Sequence, residues 1–304
     1  MMTTQFKVFQ GKHVDLNYLL SLQLLAKNFQ IKNNRSKYYL IGSNQSRLYG
    51  RGMDFAQVRE YQTGDDMRHI DWRVTARTGK PHTKLYQAEK QRMIYIIVDL
   101  NASLFFGSEN TFKASMAKQI ACLYAFAAQQ NHDVIRGYAI SGNKLIINDQ
   151  QTPQAALRFA NLLANFKQPQ AEISARFVKL TDHLVHQKLT AAKLIVISDF
   201  QHFDEVTQKR LAQIRLTNEV ELVFVYDKLE TQAPSPNRYI ISNGTEEIAF
   251  NTYSQNFCED FAKRFADKQA NLITYCRYNK ISWQEISTAQ TINDYIKSLK
   301  KFLI

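Results

Sequence analysis

The sequence predicts an α/β protein built on a doubly wound, mostly parallel sheet. Three runs of β-branched and apolar residues, at positions 93–98, 193–198 and 220–226, each end directly before an aspartate. Runs without polar alternation predict strands that are buried on both faces, which is typical of a parallel sheet. Helical patterns separate the runs, and this alternation predicts helices packed on the sheet.

Four segments between these strands show the three-and-four spacing of apolar residues that predicts a helix. They cover residues 111–131, 152–166, 174–188 and 204–217. Thr152 followed by Pro153 predicts the N-cap and the first turn of the second of these helices. Each pair of neighbouring strands is therefore expected to be joined through helices.

The last part of the chain predicts a hairpin, a long helix, a strand and a final helix. Asn243-Gly244 lies between alternating residues at positions 238–251, which is a strong hairpin signal. An amphipathic helix is predicted over residues 254–277 and a strand over 281–286. Thr291 and Asp294 have the spacing of a capping box, so the final helix is expected to begin there.

Two regions are predicted, residues 1–90 and residues 91–304, and the hairpin near 238–251 is an insertion in the second. A leucine-rich helix is expected over residues 14–29. The segment from Gly50 to Lys80 carries six Lys/Arg and five Asp/Glu without a clear period. This pattern predicts charged loops, so the N-terminal region is expected to be a smaller helical and charged-loop layer.

The composition excludes several classes of protein. The chain has 304 residues, a formal charge of +12 and 45% hydrophobic residues, so it can bury a core and is not a disordered chain. Its apolar runs are shorter than the roughly 18 residues that a membrane span needs. The first residues lack a signal-peptide pattern, and the three cysteines are too scattered for a disulfide framework or a zinc site. We therefore expect a cytoplasmic protein without a transmembrane segment.

Polar residues follow the predicted strands where ligands bind in open parallel sheets, beyond the carboxyl ends of the strands. Asp99, Asn101 and Ser103 alternate directly after the first strand, and Asp199 follows the second. Carboxylate, amide and hydroxyl oxygens suit Mg²⁺ or Mn²⁺. The alternative is that the aspartates only cap the loops and helices that follow them.

Several motifs closely resemble the bacterial domain-of-unknown-function-fifty-eight family. They begin with Gly50-Arg51-Gly52-Met53-Asp54-Phe55, Val58-Arg59-Glu60-Tyr61, the run from Gly64 to Trp72, and Thr75-Ala76-Arg77-Thr78-Gly79. They continue with Glu89-Lys90-Gln91-Arg92, the Asp99 loop with Phe106-Gly107-Ser108, Ile197-Ser198-Asp199-Phe200, and the run from Asp227 to Pro234. The resemblance covers nearly the whole chain. It implies a von Willebrand factor A-like domain in a protein often encoded beside a MoxR-type AAA+ ATPase.

The resemblance also implies a metal-ion-dependent adhesion site of the Asp-x-Ser-x-Ser type. Asp99, Asn101 and Ser103 match its three positions, and Asp199 matches the late aspartate of such sites. Asn101 replaces the usual Ser. The intermediate Thr has no clear counterpart, and Ser174 is the nearest candidate by placement. Mg²⁺ is the cofactor that this site implies.

The charged segment is the second predicted binding surface. Its candidate partner-binding residues are Arg51, Arg59, Asp65, Asp66, Arg68, Asp71, Trp72 and Arg77. Basic side chains could steer an acidic partner toward the site. Pairing of these arginines with Asp65, Asp66 and Asp71 is the competing explanation, in which the segment is a structural polar network.

The residues favour a non-enzymatic function. The chain has no G-x-x-x-x-G-K-[ST] phosphate loop and no nucleophile elbow, and Asn101 stands where an aspartyl phosphatase would need a second Asp. We expect an adaptor that works with a MoxR-type ATPase, with an unknown client, in assembling or remodelling protein complexes. A metal-dependent hydrolase has less support.

The alternative function is a binding module for anionic polymers or membrane surfaces. The first 50 residues carry seven Lys/Arg and one acid, and Lys32, Arg35, Lys37 and Arg47 are the candidates. No helix-turn-helix, RNA-recognition or zinc-finger pattern accompanies them, so nucleic acid is an unlikely partner.

Overall fold

The computed structural model of the chain describes most of the residues after position 13. The described ranges are 14–29, 31, 53–63, 65, 67–88, 92–108, 111–141, 144–148, 152–166, 176–242 and 247–301. The chain divides into two units, a larger one of Met1–Asn34 with Arg92–Ile304 and a smaller one of Arg35–Gln91.

The helices and strands follow one another in an order close to that predicted. In chain order they are α1 (Leu16–Ala26), β1 (Met53–Glu60), α2 (Trp72–Thr78), β2 (His82–Ala88), β3 (Met93–Asp99), α3 (Lys113–Gln130), β4 (Val134–Ser141), β5 (Lys144–Asn148), α4 (Ala155–Asn165), α5 (Arg176–His186), β6 (Lys193–Ser198), α6 (Glu205–Arg215), β7 (Glu219–Tyr226), α7 (Lys228–Thr231), β8 (Arg238–Ser242), β9 (Glu247–Asn251), α8 (Gln255–Tyr278), β10 (Ser282–Ser287) and α9 (Ile292–Lys301). Short 3₁₀ turns lie at Met67–His69 and Ala102–Leu104.

The larger unit is built on one sheet, which within the described residues has six strands in the order β10-β7-β6-β3-β4-β5. All neighbouring pairs are parallel except β4 and β5, which are antiparallel at one edge. The three predicted apolar runs form β3, β6 and β7, which lie side by side. The predicted α/β class with a mostly parallel sheet is therefore confirmed.

Alternate residues of each strand pack into two separate cores. In β3, Ile94, Ile96 and Val98 join a core with residues of α1, α3, α4 and α9. Tyr95 and Ile97 join a second core with residues of α5, α6 and α8. This period-two alternation, with apolar side chains on both faces, is the reason the strand sequences show no polar alternation.

Helix α1 packs in the core of the larger unit. The Asp15 side chain accepts a hydrogen bond from the Tyr18 N–H (2.8 Å) and so caps the helix, and Leu19 and Leu22 are buried at helical spacing. The Phe29 ring meets the α3 side chain of Tyr124 edge to face at 4.9 Å. The sequence analysis grouped this helix with the charged segment, whereas its apolar face packs on α3 and α4 of the larger unit.

The smaller unit contains an antiparallel pair, β1 with β2, joined through α2. The sequence analysis predicted charged loops here and missed these strands. The register shifts between Phe55 and Gln57, and such a bulge interrupts the alternation by which strands are identified. Asp71 caps the start of α2, and Gly79 ends it with φ of 72°, in the left-handed region that favours glycine.

Two smaller predictions also have clear outcomes. The predicted N-cap of α4 is wrong, because the helix begins at Ala155 after Gln154, and Thr152 makes no capping bond. The capping box of α9 is confirmed by mutual hydrogen bonds between Thr291 and Asp294.

Strands β8 and β9 form the predicted hairpin, while its Asn243-Gly244 turn lies outside the described residues. Of the described helices, none combines the length and apolarity that crossing a bilayer requires.

Candidate functional site

The candidate site is the carboxyl edge of the sheet, which we define as Asp99, Asp199, Asp227 and the loops that follow them. These aspartates stand at or directly after the ends of β3, β6 and β7, which are neighbours in the sheet. All three are buried. Parallel strands bring their carboxyl ends to one side, so residues far apart in sequence meet here, as the sequence predicted for Asp99 and Asp199.

Asp99 joins the ends of β3 and β6. One of its oxygens, Oδ1, accepts a hydrogen bond from the Asn101 N–H (3.0 Å), and Oδ2 accepts one from the Ser198 hydroxyl (2.7 Å). The same hydroxyl oxygen accepts the N–H of Phe200, a residue with φ of 50°. A bulky residue in the left-handed region is strained, and these bonds hold the turn in place.

Asp199 forms a buried ion pair with a lysine that the sequence analysis did not select. The Lys113 Nζ lies 2.9 Å from Asp199 Oδ2 and 2.7 Å from Glu230 Oε1, and the Lys113 side chain is only 1% exposed. Burial alone would raise the pKa of Asp199, but the Lys113 ammonium outweighs it and holds that pKa below 3.8. Burial likewise opposes the charge of Lys113, yet Asp199 and Glu230 raise its pKa.

Of the remaining predicted metal ligands, Ser103 lies near this pair. Asn101 is buried, and Ser103 belongs to the 3₁₀ turn that follows it. The Ser103 hydroxyl is close enough to Asp199 to help lower its pKa, but it makes no hydrogen bond of normal geometry with the described residues. Ser174 lies outside the described residues.

These residues do not fit a magnesium ion in the arrangement they adopt. The ammonium of Lys113 contacts Asp199 Oδ2, and it would repel a divalent cation bound to the same carboxylate. Within the described part of the chain, no group of three or more His, Cys, Asp or Glu side chains is placed to share a metal.

Asp227 ties together three further segments of the edge. Its carboxylate accepts hydrogen bonds from the hydroxyls of Ser108 and Thr288 and from the N–H groups of Ser108 and Leu229, both at 2.9 Å. Burial acts to raise its pKa, but these bonds, led by Ser108, hold the pKa below 3.8. Glu230 completes a capping box by accepting the Asp227 N–H at 2.8 Å.

The lowered pKa of Asp227 predicts a specific response to acid. Because its folded-state pKa lies below the ordinary 3.8, its stabilising contribution is complete above that pH and is lost as the pH falls below it. We expect the unfolding free energy of Asp227→Asn, measured by urea titration at a series of pH values, to fall less steeply below pH 3.8 than that of the unchanged protein. If the unfolding free energies of both proteins fell equally steeply below pH 3.8, the lowered pKa of Asp227 would be contradicted.

A cavity of about 580 Å³ opens beside Asp227. It is lined by one residue of the loop before α3 and by residues from α7, from the following loop, from the hairpin with its flanking residue and from the start of α8, namely Ser108, Lys228, Leu229, Gln232, Ala233, Pro234, Ser235, Pro236, Tyr239, Thr252 and Cys258. Tyr253 and Phe257, which neighbour the lining residues in sequence, are exposed aromatics. Sequence analysis did not select this surface, although the run from Asp227 to Pro234 belongs to its motifs.

In the smaller unit, part of the predicted partner-binding set is paired internally. Arg59 forms an ion pair with Asp65 at 2.7 Å, and Asp65 also accepts the Gln62 N–H at 2.9 Å. Asp71 accepts N–H groups at the start of α2 and lies 3.7 Å from the Lys84 ammonium. The competing explanation, internal pairing, therefore holds for Arg59 and Asp65.

Other members of this set face solvent. Trp72 is 70% exposed, and Arg68 and Arg77 are exposed as well. Arg51 and Asp66 lie outside the described residues, as do Lys32, Arg35, Lys37 and Arg47 of the basic N-terminal stretch. Partner binding by this segment stays a prediction.

Lys113 and Glu230 are the residues of the edge that sequence reasoning missed. Lys113 carried a usable signal, because it is the first residue of a helix and a cation is disfavoured at that end of the helix dipole. A lysine at such a position indicates a nearby carboxylate. Glu230 had a similar signal, since it stands three residues after Asp227 in the spacing of a capping box.

Curated relatives of the chain come from mycobacteria. The chain is 24% identical over 236 residues to "Uncharacterized protein Mb1516" of Mycobacterium bovis, an alignment that covers 77% of this chain and 74% of that protein. The same values hold for "Uncharacterized protein Rv1480" of Mycobacterium tuberculosis strain H37Rv. Neither name states a function.

Among solved structures, the chain is similar to the conserved hypothetical protein BatB from Bacteroides thetaiotaomicron, with a TM-score of 0.41, 12% identity, and coverage of 70% of this chain and 97% of that one. An aerotolerance-related membrane protein from Bacteroides fragilis gives a TM-score of 0.40, 12% identity, and coverage of 69% and 97%. Similarity at this level assigns neither a fold nor a function.

The family match is more extensive. Residues 57–271, which are more than half of the chain, match the family described as "Protein of unknown function DUF58". The match begins within β1 and includes the ion pair of Lys113 with Asp199 and all the residues that line the cavity. The resemblance found in the sequence motifs is thereby confirmed, and the chain belongs to the DUF58 family.

Proposed function

We propose that this protein is a non-enzymatic adaptor with a von Willebrand factor A-like domain, and that it works in the cytoplasm with a MoxR-type AAA+ ATPase in assembling or remodelling protein complexes. Membership of the DUF58 family supports the choice of partner, because the resemblance to that family implies a protein often encoded beside a MoxR-type ATPase. The mostly parallel sheet, with Asp99 and Asp199 at its carboxyl edge, is compatible with the domain type.

The observation that carries a binding role is the state of the buried aspartates at the edge. A general acid or base works best when its pKa lies near the working pH. The pKa values of Asp199 and Asp227 are instead held below 3.8 by an ammonium and by hydroxyl and amide donors. Carboxylates that stay ionised at neutral pH are poor proton carriers, which supports a role other than acid–base catalysis.

The cavity beside Asp227 is the part of this edge that we assign to the ATPase. It combines apolar walls at Leu229, Pro234 and Pro236 with an exposed cation, Lys228, at the start of α7. Interfaces that bind tightly have an apolar centre and a polar rim, and the rim charge influences the rate of encounter. An acidic surface of the ATPase would complement Lys228.

Charge reversal at the cavity is expected to weaken the complex with the neighbouring ATPase. Lys228→Glu places an acid against the acidic partner surface, and like charges at an interface cost several kcal/mol, so we expect an affinity loss of about tenfold or more. The ATPase encoded beside the gene is co-expressed with the full chain, and the complex is measured by co-purification and by surface plasmon resonance.

The matched control is Arg277→Glu, which makes the same change in charge at the opposite edge of the sheet. Arg277 is an exposed residue in the last turn of α8, and the chain enters β10 from the amino end directly after it. We expect its complex to be unchanged. If Lys228→Glu and Arg277→Glu bound the ATPase equally well, the cavity would not be the docking surface. If only Arg68→Ala lost the complex, the interface would lie on the smaller unit. Absence of a complex with the unchanged protein would refute the partnership itself.

A further inference from the structure

The Lys113 side chain provides a positive charge beside two carboxylates of the carboxyl edge. Lys113 opens α3, and its own N–H donates to the Phe106 carbonyl at 2.9 Å, which fixes the start of the helix. From there its ammonium reaches Asp199, after β6, and Glu230, in α7 after β7. One cation thus links the ends of two neighbouring strands.

Buried carboxylates need a positive partner, because an isolated charge is very costly away from water. At this edge Asp199 is 2% exposed, and the side chain of Glu230 is 31% exposed. Lys113 contacts both, and Lys268 of α8 supplies a further positive charge close to them, with its Nζ donating to Gln201 Oε1 at 2.9 Å. The negative charge of this pair of carboxylates is therefore balanced by the chain itself.

Divalent metal ions usually perform this role where carboxylate, amide and hydroxyl oxygens converge. The sequence places such oxygens here, in Asp99, Ser103 and Asp199, and the Ser103 hydroxyl makes no hydrogen bond of normal geometry among the described residues. The ammonium nevertheless lies 2.9 Å from Asp199 Oδ2, so a divalent ion bound to the same carboxylate would stand close to a positive charge. Two cations cannot share this space.

We propose that Lys113 is the resident cation of the carboxyl edge and takes, beside Asp199, the place that a divalent metal ion would otherwise occupy. The edge is then assembled in the absence of metal, and removal of the ammonium turns the same oxygens into a metal site. This inference does not depend on the ATPase, so its outcome and that of the proposed partnership can be distinguished.

The test uses Mn²⁺ alone as the probe and the full chain, stripped of metal with EDTA. Isothermal titration calorimetry at millimolar Mn²⁺ is expected to show no binding at this edge in the unchanged protein, whose melting temperature should be the same with EDTA and with Mn²⁺. Lys113→Ala is expected to melt at a lower temperature in EDTA. It should gain Mn²⁺ binding and a rise in melting temperature with Mn²⁺, because a ligand that binds only the folded state stabilises it.

Two further variants make the result decisive. Lys113→Arg keeps the positive charge and is expected to show no response to Mn²⁺. Lys113→Ala combined with Asp199→Ala is expected to lose the gained response, which separates this site from any other place on the chain where Mn²⁺ binds. Lys113→Ala that folds without responding to Mn²⁺ would overturn the proposal.

If Lys113→Ala does not fold, Mn²⁺ binding by the unchanged protein tests the proposal instead. Mn²⁺ binding by the unchanged protein that is abolished in both Asp199→Asn and Ser103→Ala would show a resident metal and overturn the proposal. No response to Mn²⁺ in the unchanged protein, together with normal folding of Lys113→Arg in EDTA, is the result that the proposal requires.

Discussion

Replacing Lys193 by methionine is expected to lower the free energy of unfolding by about 3–5 kcal/mol, because it leaves a buried carboxylate without its counter-charge. Lys193 Nζ lies 2.8 Å from Glu221 Oε2, and each side chain is 4% exposed. The other oxygen of Glu221 accepts the Tyr124 hydroxyl at 2.6 Å, and that hydroxyl lies 3.1 Å from the Tyr295 hydroxyl. The ion pair of Lys193 with Glu221 therefore lies on the face of the sheet that α3 and α9 cover.

The double variant Lys193→Met with Glu221→Gln separates lost charge balance from lost packing. Glutamine keeps an acceptor for Tyr124 and removes the unpaired charge, so the double variant should be more stable than Lys193→Met alone. Urea denaturation of both variants measures the difference. A double variant no more stable than the single one would show that the charge on Glu221 is not the source of the loss.

Replacing Phe159 by alanine is expected to cost about 3–5 kcal/mol, the range for removing a buried aromatic ring. Phe159 lies on α4, is fully buried, and fills the space above Gly137 in β4. A Cβ atom built on Gly137 would overlap the Phe159 ring. The absence of a side chain at Gly137 thus leaves the space that the Phe159 ring fills.

This complementarity predicts an interaction between the two positions. Gly137→Ala alone should destabilise by about 1–3 kcal/mol, because the ring must move. In the Phe159→Ala background the same change should cost much less, because the overlap is gone and part of the cavity is filled. Leu157→Ala, at a 42% exposed position of α4, is the control and should change stability by no more than about 0.5 kcal/mol. Additive costs would refute the pairing.

The sheet was predictable where strands are buried on both faces. The runs that became β3, β6 and β7 are rich in β-branched and other apolar residues, and all three lie inside the sheet. Strand β4 was missed because Arg136 and Gly137 interrupt its apolar pattern, and β5 because it is a short strand at the edge. Local pattern thus identified the central strands β3, β6 and β7 but not the two strands at the β4–β5 edge.

The site was predictable to the extent that strand ends define it. Asp99 and Asp199 could be placed together because parallel strands end at the same edge. The ion pairs of Lys113 could not, since they join residues 86 and 117 positions apart and depend on how α3 and α7 pack. For this reason the sequence analysis predicted a metal ion beside Asp199, whereas in the structure the cation beside Asp199 is the ammonium of Lys113.

The packing of α1 has a consequence for synthesis of the protein on the ribosome. Leu19 and Leu22 are buried against α3, whose last residue, Gln130, is made about 100 residues after α1 ends. At the usual 5–20 residues per second, α1 leaves the ribosome about 5–20 s before α3 is complete. During that interval its apolar face has no native partner and is open to proteases and to other nascent chains. A fragment that begins at residue 91 has the converse defect, because it leaves the matching face of α3 uncovered.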